Sequence, residues 1–120
     1  MLDTPDIATI AGLIGDRARS AILMAMMTGR ALTATELARG ANVSKATASS
    51  HLAKLLRAGL LEVEEVGRHR YYRLSSHEVG AVIEHLISLA HRLGAVDVDS
   101  GPTDPAMRKA RVCYDHLAGD

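Results

Sequence analysis

The sequence predicts a mainly α-helical domain carrying a small β-hairpin, and three observations predict it. The chain has 120 residues, 48% of them apolar, with no Phe and no Trp. Its core must therefore come from Ala, Leu, Ile, Val and Met, which suits packed helices better than an aromatic-rich sandwich. Helix-start residues (Thr4-Pro5, Asp16, Thr33, Ser44, then Ser75 or Ser76) each precede a run with helical apolar spacing. Between Gly59 and Ser75 that spacing gives way to the alternation of Leu61 and Val63 with glutamates, as a strand requires.

Thr4-Pro5 opens the first helix, with Thr as N-cap and Pro in the first turn, where its missing N–H matters least. Ile7, Ile10 and Ile14 recur at helical spacing. A second helix starts near Asp16, runs through RARSAILMAMMTG and stops at Gly29, with Ile22, Leu23 and Met26 available to the core. Thr33 and Glu36 have capping-box spacing: the hydroxyl accepts from the third backbone N–H and the carboxylate reaches back to the cap. The short helix ATELARG follows and ends at Gly40. Ser44 caps the next helix, which runs to Gly59 on an apolar stripe of Leu52, Leu55 and Leu56. Two helices joined by a tight turn containing Gly form a helix-turn-helix.

LLEVEEV and RYYRLS, separated by Gly67-Arg68-His69, then form a two-stranded hairpin. Successive strand residues face opposite sides, so one of Tyr71 and Tyr72 belongs to the core and the other faces out. A long helix, HEVGAVIEHLISLAHRL, ends before Gly94. AVDVDSGPTD is an acidic linker containing Gly and Pro, and Asp104-Pro105 starts a last helix. The expected organisation is a domain over 1–94, a linker over 95–104 and a C-terminal helix over 105–120. That makes about six helices and a two-stranded wing.

Formal net charge is zero, which alone argues against a nucleic-acid partner, but the charge is unevenly placed. Residues 39–73 hold Arg39, Lys45, Lys54, Arg57, Arg68, Arg70 and Arg73 against Glu62, Glu64 and Glu65, a local balance of +4. Local charge sets attraction to phosphates. The helix from Ser44 also begins with small and polar residues. Lys45, Ala46, Thr47, Ser49 and Ser50 permit close approach to a groove, and their hydroxyls can bond phosphates or base edges. Lys54 extends the basic character along the helix. Arg68, His69 and Arg70 give the hairpin a basic tip. His51, mid-helix, fits two readings: a phosphate contact, or a satisfied polar residue packed against the strands.

Several ordered pieces resemble the ArsR (arsenic-repressor) family of bacterial regulators. They are Glu36-Leu37-Ala38, Ser49-x-His51-Leu52, Arg57-Ala58-Gly59-Leu60 and Tyr71-Tyr72-Arg73-Leu74-Ser75. IGDRARSAIL resembles the family's second helix, with Arg17-Ala18-Arg19 where Pro-Thr-Arg is more usual. The resemblance spans roughly residues 7–93. It implies a winged helix-turn-helix homodimer that represses transcription from a palindromic operator. One helix would enter each major groove, with half-sites about one turn, ~34 Å, apart. The family's cysteine site corresponds to Thr33, Thr35 and Ala38, and its fifth-helix site to Ser76, Glu78, Leu89 and Arg92. No thiol stands at the first, and Leu and Arg in the second do not ligate metal. The resemblance therefore carries DNA binding without metal sensing, and no cofactor is expected. Arg111–Gly119 resembles the start of an extension found in longer members, so the chain is a short member or a truncated form.

The fifth helix is apolar over a wider surface than one core stripe needs. Val82, Leu86, Leu89 and Leu93, with Ile7, Ile10 and Ile14 of the first helix, are the expected two-fold dimer interface. His77, Glu84 and His91 share a face, but each step of seven residues rises ~10.5 Å. A solvated stripe is the simpler reading. Cys113 and His116, three apart with Lys109 nearby, are a candidate redox or soft-metal sensor, or a buried thiol of no chemical role. A single cysteine, no signal peptide and no long apolar run lead to the expectation of a cytoplasmic protein. Nucleophile elbows, phosphate loops and catalytic triads are missing, so no enzyme is expected. The other class of function that fits is a winged-helix protein–protein module.

Overall fold

The computed structural model describes residues 4–95, which form five α-helices, one 3-10 turn and one hairpin in the expected order. The expected linker from residue 96 on, the expected C-terminal helix over 105–120, Cys113 and His116 lie outside the described residues.

Helix α1 covers Ile7–Ile14. Its N-cap is Asp6, not Thr4, because the Asp6 carboxylate accepts from both the backbone N–H and the hydroxyl of Thr9. Helix α2 covers Arg17–Ala25, capped by Asp16, and its last turn tightens into a 3-10 segment over Met26–Thr28. Gly29, at φ 81°, closes it.

Helix α3 covers Ala34–Ala41 and carries the full capping box of Thr33 and Glu36. The helix runs one residue past the expected end at Gly40. Asn42 takes the left-handed conformation at φ 58°, and the Val43 N–H reaches back to the Ala38 carbonyl at 3.0 Å. Helix α4 covers Lys45–Arg57 with Ser44 as cap.

Strands β1 (Leu61–Val66) and β2 (His69–Leu74) pair antiparallel, with Leu61 opposite Leu74 and Val66 opposite His69. The turn is therefore two residues long, Gly67-Arg68, and His69 belongs to the strand, not to the loop. Positive φ at Gly67 and not at Arg68 is the type II′ pattern, whose twist suits a hairpin. Helix α5 covers His77–Arg92, capped by Ser76.

The core holds Ile22, Leu23 and Met26 from the α2 region, Leu37 from α3, Leu52 and Leu55 from α4, Leu60, Leu61 and Tyr72 at the wing base, and Ile83 from α5. Each fully buried aliphatic side chain contributes roughly 1.5–3 kcal/mol. Tyr72 is the inward tyrosine and Tyr71 the outer one. Among the described residues no polar or charged residue is buried. No helix among them is long and apolar enough to cross a membrane.

Two clamps fix the wing to the helices. Leu32 and Tyr72 exchange backbone hydrogen bonds of 3.0 and 2.8 Å, an isolated bridge on the outer edge of β2. At the base, the Ser75 hydroxyl donates to the Gly59 carbonyl at 2.7 Å and the Ser75 N–H to that of Leu60 at 3.1 Å.

Candidate nucleic-acid interface

Helix α4 presents three faces. Ala48, Leu52 and Leu55 are buried against the core. Thr47, Ser50 and Lys54, at i, i+3 and i+7, share an exposed face. Lys45 and Ser49, at i and i+4, are also exposed and turn toward the wing, where they line a cleft of about 470 Å³. Ala46 is exposed at the tip. The start of α4 is thus free of packing on two faces, as its small polar residues predict. Ser44 holds the first turn by accepting from the Thr47 N–H at 3.0 Å and donating to the Thr47 hydroxyl at 2.9 Å.

The cleft beside α4 brings together elements that sequence leaves apart. Its far wall is the wing, with Arg68, His69, Arg70 and Tyr72. Its third wall is the start of α3, with Thr33, Ala34 and Thr35. No carboxylate belongs to this lining, and the positive ends of α3 and α4 both open onto it. Thr33 and Thr35 were missed as candidate contacts. The capping box announces a helix start, but only the Leu32–Tyr72 bridge places that start beside the wing.

The wing's cations are not equivalent. Arg73 is tied to Glu62 at 2.6 Å and Glu64 at 3.2 Å. The hydrogen bond that Arg73 donates to Glu62 is the leading cause that raises the Arg73 pKa above its ordinary value. Arg70 lies 3.8 Å from Glu65 and 5.8 Å from the Tyr72 ring centroid. Arg68, at the turn, is exposed and has no ion-pair partner among the described residues. The glutamates of β1 face solvent as expected, and two of them neutralise Arg73 rather than the tip.

His51 is turned away from this surface. Its side chain is 15% exposed, with Nδ1 at 3.1 Å from Arg19 and Nε2 at 3.7 Å from Asp16. It is a satisfied polar residue, but its partners stand at the α1–α2 corner and not on the strands. Of the expected interface residues, Ile7, Ile10, Val82, Leu86, Leu89 and Leu93 are exposed, whereas Ile14 is half-buried against the core.

Residues 14–64 match the model of a helix-turn-helix domain. YdfF of Bacillus subtilis, described as an uncharacterised HTH-type transcriptional regulator, is 46% identical over 115 residues. That match takes in 96% of this chain and 51% of YdfF, so the chain spans about half the length of that relative. The structure of reduced HlyU from Vibrio cholerae is similar at 31% identity and a TM-score of 0.61, over 74% of this chain and 88% of that one. The chain belongs to the winged helix-turn-helix transcriptional regulators. The same fold recurs, at 18% identity and a TM-score of 0.58, in Mb0332 from Mycobacterium bovis, over 79% of this chain and 95% of that one. Mb0332 is described as a homodimeric winged helix-turn-helix DNA-binding domain and a possible ArsR-family regulator.

Proposed function

We propose that this chain is an ArsR-type repressor that binds a palindromic operator as a homodimer. The observation that carries the reading is the cleft between the α4 start and the wing. It is lined by Lys45, Arg68 and Arg70 without a carboxylate, and it adjoins an unpacked helix start rich in hydroxyls. In this reading α4 enters the major groove. Thr47, Ser49 and Ser50 meet base edges or phosphates, while Lys45, Lys54, Arg68 and Arg70 neutralise backbone.

Dimerisation is supported by the apolar surface on α1 and α5. Ile7 and Leu93 are 76% and 74% exposed, and Ile10, Val82, Leu86 and Leu89 add to the same two helices. A patch of this kind is unfavourable in water and favours self-association. The description of Mb0332 as homodimeric agrees with it. Metal control through the family's usual positions is not part of this reading, since Thr33, Thr35, Ala38, Leu89 and Arg92 stand there.

The experiment is binding of the purified protein to duplexes from its own promoter region across a salt series, with a reporter placed downstream. Steeply salt-dependent binding and a lowered reporter signal are expected. Absent or salt-insensitive binding, with a stable complex to another protein instead, refutes the reading in favour of a protein–protein module.

A further inference from the structure

The Arg19 guanidinium joins three helices. Arg19 lies in the first turn of α2, yet its Nε donates to the Leu13 carbonyl at 2.6 Å and a terminal nitrogen to the Gly12 carbonyl at 3.3 Å. Both acceptors are at the C-terminal end of α1, where carbonyls have no partners within the helix and the dipole favours a cation. The other terminal nitrogen lies 3.1 Å from Nδ1 of His51, in the middle of α4.

This geometry assigns the imidazole. A guanidinium has donors only, so Nδ1 accepts and the proton of the neutral ring sits on Nε2. Nε2 faces the Asp16 carboxylate at 3.7 Å, and that carboxylate accepts from the Arg19 backbone N–H at 3.0 Å. Asp16, Arg19 and His51 therefore form a closed set linking the α1–α2 corner to the recognition helix. The planar guanidinium fork holds several acceptors in fixed directions, which a lysine ammonium does not.

Helix α1 carries Ile7 and Ile10 of the proposed dimer face, and α4 carries the proposed DNA-reading residues. We infer that Arg19 is a positioning residue that fixes the angle between α1 and α4 and so sets the half-site spacing the dimer accepts. The inference rests on the dimeric DNA-binding reading above.

The probes are a palindromic duplex selected by the wild-type protein from a random-sequence pool, and the same duplex with one base pair inserted or removed at its dyad. Each such change shifts the half-sites by about 3.4 Å along the axis. The wild type is expected to bind the altered spacings about tenfold more weakly. Arg19→Met is expected to bring that ratio close to one while keeping its affinity for a single half-site. His51→Ala removes the other end of the link and leaves the bonds from Arg19 to α1, so it tests the idea should Arg19→Met not fold. It too should flatten the ratio, and His51→Gln, whose amide can accept from Arg19 and donate toward Asp16, should restore it. An Arg19→Met or His51→Ala protein that weakens every spacing by one common factor, or discriminates as the wild type does, overturns the inference alone. A wild-type protein that selects no duplex overturns the DNA-binding reading and this inference with it.

Discussion

Replacing Arg68 by Gln probes the wing where its charge is least shared. Arg70 is partly answered by Glu65, and Arg73 is held by both Glu62 and Glu64. Arg68 sits exposed at the two-residue turn with its charge available to phosphate. In the proposed operator complex a homodimer would present Arg68 twice, so the substitution would remove two phosphate contacts. Each contact contributes about 0.9 to the slope of log affinity against log salt, so the slope falls by about 1.8. Between about 50 and 200 mM salt the wild type then loses roughly tenfold more affinity than the variant. Fluorescence anisotropy of a labelled operator duplex, titrated at four or more salt concentrations, reads this directly. Arg73→Gln is the control and should leave the slope nearly unchanged. Equal slopes for wild type and Arg68→Gln, or a larger change in Arg73→Gln, would refute the ranking of the wing's cations.

Three further outcomes are expected. Leu52→Ala empties a fully buried site on the core face of α4 and should cost roughly 2–5 kcal/mol in a chemical denaturation series. Leu89→Asp places a charge on the half-exposed apolar face of α5; sedimentation should show the dimer lost while circular dichroism stays helical. Asp16 is held below its ordinary carboxylate value chiefly by the Arg19 N–H. A depressed pKa adds stability that is complete above the unfolded value and lost as pH falls through the folded one. Asp16→Asn, which keeps a capping side chain, should therefore trail the wild type in thermal melts at neutral pH and converge with it below about pH 4.

Element types were legible because caps and periodicity are local. The capping box of Thr33 with Glu36 and the cap at Ser44 stand where their spacing places them. The start of α1 was misplaced because Thr4 and Asp6 are both cap residues, and the contest went to the side chain that satisfies two groups of Thr9. The end of α3 lies past Gly40 because Asn42 tolerates the left-handed conformation more usual for glycine. His69 looked like loop until the pairing of Val66 with His69 fixed a shorter turn. The cleft was only half visible, since Thr35 reaches it through a tertiary bridge. His51 was undecidable from its own neighbours in sequence: its partners, Asp16 and Arg19, lie 35 and 32 residues away.

The backbone exchange between Leu32 and Tyr72 has a mechanical consequence. It pins β2 to the segment just before α3, five residues short of the Gly67 turn. At about 3.3 Å per residue the hairpin is a lever of roughly 16 Å with its fulcrum at Tyr72. The stretch from Tyr72 to the turn is the part of β2 that lies beyond this bridge. Arg68 rides at the end of that lever, so a rotation of about 10° at Tyr72 would displace its charge by roughly 3 Å.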